Sequence, residues 1–292
     1  MALAEVDIPN LPRPVARHPR IASRAGHLEP GQRLIPEETA VAFVYNGSSH
    51  AVMMATPTDL EDFAAGLSLT EGIVNEVEDI SDLEILSSEL GVELRIWISE
   101  TRMEPYSTRR RHLAGPTGCG LCGIESLSEA SRPARRVGSG LHLAPEAIFA
   151  AMAALPPAQL LNRETRALHA AAFWQPGKGL LAAREDVGRH NALDKLVGSL
   201  ARLQIDGGSG IVLLTSRVSV EMVQKAAILG ASILVAVSAP TALAIRVAEA
   251  CGMTLIAIAR EQHFEIFSHP KRISGRDDEP ANVRSNHRHQ GG

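Results

Sequence analysis

The chain has 292 residues, of which 45% are hydrophobic, 21% are charged and 3% are aromatic. This length is enough for one large or two modest domains with a buried core, and the composition excludes a collagen-like protein and a chain that is disordered throughout. The net charge of −4 excludes a nucleic-acid binder by bulk charge, and three cysteines are too few, and odd in number, for a disulfide framework.

Both ends of the chain carry polar sequence without a regular period. Residues 1–34 mix proline, arginine and histidine, and residues 273–292 are polar, so both segments are predicted to be flexible tails. The first residues lack the apolar stretch of a secretory signal, and the longest apolar run, residues 226–239, is too short to cross a membrane. We therefore expect a cytoplasmic protein with reduced cysteines and without membrane or nucleic-acid partners.

The first half of the folded chain, residues 35–137, is predicted to be an α+β part. Residues 40–56 form two apolar runs around Asn46-Gly47, which predicts a hairpin, and residues 82–98 predict a second hairpin. Between the hairpins, apolar residues recur at helical spacing from position 60 to position 67, which predicts a helix. This part ends in a loop that contains two cysteines.

The second half, residues 138–272, is predicted to be a parallel sheet covered by helices. Short apolar runs alternate with segments of helical spacing; the runs are residues 211–215, 233–237 and 254–258, and the helical segments are residues 220–229 and 240–250. This alternation is typical of α/β proteins, whose ligands bind beyond the carboxyl ends of the strands. Those ends are Ser216-Arg217, Ser238-Ala239 and Arg260-Glu261.

The loop at residues 115–123 holds Cys119 and Cys122 among four glycines. Glycine allows positive φ and the close approach of another molecule, so we expect an exposed loop rather than a core element. A helix is predicted to follow, and the dipole at its N-terminus favours a thiolate at Cys122. Residues 101–140 also contain seven arginines and three glutamates, and this positive excess favours a thiolate and attracts anions.

Three chemistries are considered for this Cys-x-x-Cys pair. Structural zinc needs about four ligands, and the sequence has no second cysteine pair. A thioredoxin-like redox pair has the right spacing, but the surrounding sequence does not match its βαβ context. Sulfur carriage needs an exposed thiolate on a loop that two partners can reach, which is what this loop offers. The third cysteine, Cys251, falls at the end of a predicted helix and is expected to pack in the core.

A second polar segment, REDVGRHNALDK at residues 184–195, is dense in functional side chains. Gly188 is predicted to begin a helix whose first turn carries Arg189, His190 and Asn191. Helix N-termini bind phosphate groups and an arginine adds a bidentate clamp, so Arg189 and His190 are candidate ligands of an anionic cofactor. The alternative interpretation is a network of charges that only caps the helix.

Together these segments resemble one family, the FdhD family of sulfurtransferase accessory proteins of formate dehydrogenase. The resemblance covers residues 35–272 and rests above all on GCGLCG (118–123) and DVGRHNALDK (186–195). Further matching stretches are SHAVMMATPTDLEDFAAG (49–66), TSRVSVEMVQKAA (215–227) and VSAPTALAIRVAEACGMTLIAIAR (237–260). The two motifs together are highly specific to the family.

The resemblance implies that the protein accepts sulfur from a cysteine desulfurase and delivers it to the molybdenum or tungsten bis(molybdopterin guanine dinucleotide) cofactor, before that cofactor enters formate dehydrogenase. It implies that Cys119 carries the sulfur as a persulfide and that Cys122 assists. The guanine dinucleotide would be held at the end of the last parallel strand, by Ile258, Ala259, Arg260, Glu261, Gln262 and His263. The implied fold is a cytidine-deaminase-like α/β/α sandwich with an N-terminal α+β subdomain, and the implied assembly is a homodimer.

Two features of the sequence do not follow directly from the resemblance to the family. The helix dipole favours Cys122 as the thiolate, whereas Cys119 is more accessible because it stands between two glycines, and we assign the persulfide to Cys119. Members of the family usually carry Thr-Gly-Gly-x-His where this chain has Thr-Arg-Ala-Leu-His at residues 165–169, so this chain lacks the two glycines that allow close approach there. His169 itself is expected to be a buried histidine.

Two other functions are considered. The main alternative is a non-catalytic cofactor chaperone whose cysteines are structural or bound to zinc. Zinc-dependent deamination needs proline directly before its Cys-x-x-Cys pair, and Pro116 stands three residues before Cys119. The sequence therefore favours a sulfur carrier over a deaminase.

Overall fold

The structure, a computed structural model, describes residues 8–99 and 133–274, and these ranges contain three sheets and six helices. Cys119, Cys122 and most of the arginine-rich sequence around them lie outside the described residues. The described chain starts with a two-stranded hairpin, β1 (Val15–Arg24) and β2 (His27–Pro36).

The next element is a four-stranded sheet, which is built from the two hairpins that the sequence predicts. Its strands are β3 (Thr39–Tyr45), β4 (Ser48–Ala55), β5 (Ile80–Ser88) and β6 (Gly91–Ile98), in the order β4-β3-β6-β5. Alternate residues of β3 and β6 are buried, because one face of these strands packs against the helix α1 (Leu60–Thr70). The two predicted hairpins and the helix predicted between them are present in residues 39–98.

A six-stranded sheet forms the second half. Its strands are β7 (His169–Gln175), β8 (Gly179–Asp186), β9 (Ile211–Leu214), β10 (Ile233–Ala236), β11 (Thr254–Arg260) and β12 (His263–Ser268), in the order β12-β11-β10-β9-β7-β8. The adjacent strands β9, β10 and β11 are parallel, as the sequence predicts, and all residues of β9 and β10 are buried. β7 and β12 run antiparallel to their neighbours β9 and β11.

Helices cover both faces of the six-stranded sheet. They are α2 (Pro145–Ala158), α3 (Leu160–Thr165), α4 (Arg189–Arg202), α5 (Val220–Ile228) and α6 (Ala242–Cys251). α4, α5 and α6 share one core with the sheet, which includes the buried Cys251, and α2 packs on the opposite face. The predicted three-layer α/β/α arrangement is therefore present, while the specific likeness to cytidine deaminase stays a prediction. In residues 8–99 and 133–274, no helix has the length and apolar character needed to span a bilayer.

Helices α1 and α4 join the two halves at a close crossing. A Cβ atom at Gly66 would lie 1.7 Å from the backbone oxygen of Asp194, and one at Gly198 would lie 1.9 Å from the backbone oxygen of Asp62. Only glycine allows the helix backbones to approach this closely. Nη2 of Arg184 and Nη1 of Arg202 also lie 2.6 Å from the two carboxylate oxygens of Asp62, so the polar segment 184–195 begins at this crossing.

The two ends of the folded chain differ from the sequence prediction. Residues 15–34 are predicted as tail, but together with Ile35 and Pro36 they form the β1–β2 hairpin. Most of its residues are exposed on both faces, so the regular burial pattern that makes a strand predictable is missing. At the other end, Ile273 was assigned to the C-terminal tail but is buried and pairs with Leu143.

Candidate functional site

The loops after the three parallel strands meet at one edge of the six-stranded sheet, which we call the carboxyl edge. The N–H of Val218 donates a hydrogen bond to the oxygen of Ala239 at 3.2 Å. The N–H of Ile258 donates to the oxygen of Ser238 at 3.3 Å. The three strand ends that the sequence singles out therefore lie side by side, at the place where α/β sheets bind ligands.

The predicted nucleotide-binding residues 258–263 form the end of β11, a tight turn and the start of β12. Ile258 has a φ of 54° and Glu261 a φ of 50°. Positive φ is strained for a β-branched residue, and strained residues cluster at functional sites. The strand register shifts between Ala257 and Arg260, which accommodates the unusual backbone of Ile258.

The side chains of these six residues differ in their exposure to solvent. Ala259 is only 2% exposed and belongs to the core on the side of α2, so its side chain faces away from solvent. Ile258 is partly buried against the opposite core. The side chains left to contact a ligand are Arg260, Glu261, Gln262 and His263, which are all exposed.

Asp186 fixes the start of α4 from inside the protein. Its Oδ1 accepts hydrogen bonds from the N–H of Gly188 at 2.8 Å and from Nδ2 of Asn191 at 2.9 Å. Its Oδ2 accepts from Nζ of Lys195 at 2.7 Å and from the N–H of Thr56 at 3.0 Å. Asp186 and Lys195 are both fully buried, so the lysine balances the carboxylate charge while four donors satisfy its oxygens.

The helix α4 begins at Arg189 with Gly188 as its N-cap, as the sequence predicts. A Cβ atom at Gly188 would lie 2.8 Å from Nδ2 of Asn191, so a side chain there would disturb the hydrogen bond from Asn191 to Asp186. The N–H groups of the first helical turn have no acceptor within the helix. Because Asn191 points inward, Arg189 and His190 are the partly exposed side chains of this turn.

His190 meets Glu221, which lies in the first turn of α5. Nε2 of His190 is 2.5 Å from Oε2 of Glu221, and the two side chains are 29% and 30% exposed. The contact with His190 lowers the pKa of the Glu221 carboxyl. Burial and the positive charge of Arg189 lower the pKa of His169, at the start of β7. We call these four residues, His169, Arg189, His190 and Glu221, the histidine cluster.

A second buried ion pair holds α5 in place. Nζ of Lys225 lies 2.7 and 2.8 Å from the two carboxylate oxygens of Asp194 on α4. Oγ1 of Thr70, at the end of α1, donates to Oδ1 of Asp194 at 2.6 Å. Glu221 stands one helical turn before Lys225, so this ion pair also positions Glu221 toward His190.

The structure places the predicted anion ligands on one edge. The histidine cluster lies at the ends of β8 and β9 and the start of β7, and Arg260 lies at the end of β11, two strands from β9 in the sheet order. Glu221 was missed by the sequence reasoning, although its place in the first turn after β9 is a usable signal. His169, expected to be simply buried, is partly exposed and belongs to the cluster. Cys119 and Cys122 lie outside the described residues, so their roles stay predictions.

Comparison with known proteins agrees with the motifs. Residues 36–274 match the model of the FdhD/NarQ family. The chain belongs to the FdhD/NarQ family. Within this family, the sulfur carrier protein FdhD of Agrobacterium fabrum is 52% identical over 257 residues, which cover 87% of this chain and 94% of that protein. The sulfur carrier protein FdhD of Brucella abortus is 50% identical over 254 residues, with the same shares covered.

A solved structure shares the fold of this FdhD/NarQ chain. It is the crystal structure of a protein from Desulfotalea psychrophila, described as a formate dehydrogenase accessory protein. The two superimpose with a TM-score of 0.68 and 25% sequence identity, over 89% of this chain and 99% of that one. The fold of the FdhD/NarQ chain therefore extends to a distant relative.

Proposed function

We propose that this protein is a sulfur carrier that serves formate dehydrogenase. It receives sulfur as a cysteine persulfide from a cysteine desulfurase and transfers it to the molybdenum or tungsten bis(molybdopterin guanine dinucleotide) cofactor before the cofactor enters the dehydrogenase. The observation that carries this proposal is the identity of about half of all aligned residues with proteins named sulfur carriers, over nearly their whole length.

The sulfur-accepting residue in this proposal is Cys119. Its thiolate attacks the terminal sulfur of the desulfurase persulfide, the S–S bond of the donor breaks, and the donor cysteine leaves as a thiolate. Cys119 then holds the persulfide, and Cys122 assists its release. Both cysteines lie outside the described residues, so this role rests on the glycine-rich sequence and the family. The chemistry needs reduced thiols, which the cytoplasm maintains.

The cofactor in this proposal is a cargo that binds at the carboxyl edge. Its guanine dinucleotide carries diphosphate groups, and the edge offers Arg189, His190, Arg260 and the N-terminus of α4 to such anions. Glu221 opposes an anion near His190, but its contact with His190 also holds the imidazole ring in place. The four exposed residues 260–263 bind at the far end of the same edge.

The proposal is tested by producing a formate dehydrogenase in cells with and without this protein. We expect formate oxidation only when the protein is present, and no activity when it carries Cys119→Ala. The control is Cys251→Ala, because Cys251 is a buried core residue with no part in the transfer. Full dehydrogenase activity with Cys119→Ala would instead support a non-catalytic cofactor chaperone.

A further inference from the structure

The six-stranded sheet carries a groove at the edge where its parallel strands begin, which we call the amino edge. The groove has a volume of about 620 Å³ and lies between the end of β12, the C-terminal part of α6 and the segment around position 139. Its titratable lining residues are His142, Glu249, His269, Lys271 and Arg272. A volume of this size is within the range of small-molecule sites, so the chemistry of this amino-edge groove decides what it can bind.

Arg272 lines the groove, and no carboxylate among the described residues pairs with its charge. Its Nε donates to the oxygen of Ser139 at 2.7 Å, and its Nη2 donates to the oxygen of Gly138 at 2.9 Å. Its Nη1 donates at 3.1 Å to Oγ1 of Thr254, the first residue of β11. Burial lowers the pKa of Arg272, and these three neutral oxygens bring no opposite charge to offset this effect. An anion in the groove would supply the missing charge.

The guanidinium of Arg272 still has donors for such an anion. A guanidinium carries five N–H groups, and the three hydrogen bonds above use one on each nitrogen. One N–H group therefore remains on Nη1 and one on Nη2. Arg272 can thus bind phosphate oxygens while it holds the segment at residues 138–139 in place.

Two further basic side chains line the groove and are exposed. They are His142 and Lys271, and neither side chain forms a hydrogen bond or an ion pair with another residue in the described ranges. Lys271 precedes Arg272 in a single 3₁₀ turn, Pro270–Arg272, which keeps the two cations together. A lysine ammonium group binds phosphate as a point charge. The groove therefore gathers two permanent positive charges and the imidazole of His142.

Glu249 is the carboxylate among these lining residues, and it faces solvent. Its side chain is 62% exposed, and its Oε2 lies 3.8 Å from Nε2 of His269. The backbone oxygen of Glu249 is 2.9 Å from the same ring nitrogen. Glu249 is therefore placed beside His269 rather than beside Lys271 or Arg272, and it only partly opposes an anion in the groove.

Apolar surface completes the groove. Phe267, which also packs against the core, and Pro270 line it beside the basic residues, and we call these two residues the apolar wall. A water molecule occupies about 30 Å³ in the liquid, so the groove has room for more than an inorganic ion. Basic groups beside an apolar wall match a molecule that combines a phosphate group with an apolar part.

We propose that the amino-edge groove binds a small organic molecule through its phosphate group. The phosphate oxygens contact Lys271, His142 and the remaining donors of Arg272, and the organic part lies against the apolar wall. The groove and residues 260–263 lie at opposite ends of β11 and β12. This ligand and the proposed cofactor cargo can therefore bind at the same time.

Phosphorus NMR titration of the full chain tests this site with two probes, phenyl phosphate and inorganic phosphate. We expect phenyl phosphate to bind about fivefold more tightly, because its ring buries apolar surface against the apolar wall. Lys271→Glu should weaken the binding of phenyl phosphate at least about tenfold, because it removes one positive charge and adds a repulsive one. Lys178→Glu, a reversal in the turn between β7 and β8, is the matched control and should leave the affinity unchanged. Both lysines are exposed, so both variants should fold, which circular dichroism checks.

Glu249→Gln should change the affinity in the opposite direction. It removes the carboxylate that opposes the phosphate, so phenyl phosphate should bind about threefold more tightly. A variant that only disturbed the fold would not strengthen binding. These titrations do not depend on sulfur loading at Cys119, so the groove and the sulfur-carrier function can each fail alone.

Several results would overturn the proposal. Phenyl phosphate that does not bind, or whose binding is unchanged in Lys271→Glu, would show that the groove is not a phosphate site. Binding that is lost in Arg189→Ala instead would place the phosphate at the carboxyl edge. Equal affinity for the two probes would show that the groove takes inorganic anions only. A polyglutamate peptide that binds more tightly than phenyl phosphate, and loses its affinity in Lys271→Glu, would assign the groove to an acidic protein segment.

Discussion

The two sides of the α4 N-terminus use adjacent residues of one motif in opposite ways. Toward the interior, Asp186, Asn191 and Lys195 are buried and joined by hydrogen bonds of 2.7 to 2.9 Å. Toward the carboxyl edge, Arg189 and His190 are partly exposed. The difference indicates that the inner residues set the position of the helix and that the outer residues are left to contact a ligand.

The largest effect is expected when the buried ion pair of Asp186 and Lys195 is broken. Lys195→Met leaves the carboxylate of Asp186 buried without a counter-charge, so we expect the free energy of unfolding to fall by about 3–5 kcal/mol. Urea denaturation measures this loss. The control is Lys178→Met, an exposed lysine, which should change stability by less than about 0.5 kcal/mol. A loss below about 1 kcal/mol in Lys195→Met would show that the inner network is not required for the fold.

The second largest effect is expected at the close crossing of α1 and α4. Gly198→Ala places a Cβ atom 1.9 Å from the backbone oxygen of Asp62, so α1 and α4 must move apart. We expect a loss of about 1–3 kcal/mol in stability, with Gly138→Ala as the control because a Cβ atom there has no neighbour within 4 Å. If both variants were equally stable, the requirement for glycine at the crossing of α1 and α4 would be contradicted.

The role of Arg189 and Arg260 at the carboxyl edge is tested by ligand binding rather than by stability. Arg189→Ala and Arg260→Ala should each weaken the binding of GDP by about tenfold, because each removes a charged hydrogen-bond donor to the phosphates. Isothermal calorimetry measures this binding, and thermal unfolding should show no change. Unchanged GDP affinity in both variants would move the nucleotide site away from the carboxyl edge.

The smallest effect is electrostatic coupling inside the histidine cluster. Burial and Arg189 lower the pKa of His169 below the usual value of about 6.5. The neutral ring is therefore favoured in the fold, and the stability that this adds is present above the usual pKa and is lost as pH falls through the lowered pKa. NMR titration should show that Arg189→Ala moves the pKa of His169 upward. If the pKa of His169 did not change, His169 would not be coupled to Arg189 and would not belong to the histidine cluster.

Much of the fold follows from local sequence patterns. The alternation of β9, α5, β10, α6 and β11 is readable because apolar runs and helical spacing are properties of neighbouring residues. The pairing of Asp186 with Thr56 is not readable, because it depends on how the two halves of the chain dock. The β1–β2 hairpin was missed because both of its faces are exposed, and Glu221 was missed because its partner His190 lies on another helix.

The central claim is that Cys119 carries sulfur, and mass spectrometry of the intact protein tests it most directly. After incubation with a cysteine desulfurase and cysteine, we expect the protein to gain the mass of one sulfur atom, to lose it on reduction, and to gain none when it carries Cys119→Ala. Cys251→Ala should load as the unmodified protein does. Full loading of Cys119→Ala, or an unmodified protein that binds one zinc ion per chain and takes up no sulfur, would contradict the claim.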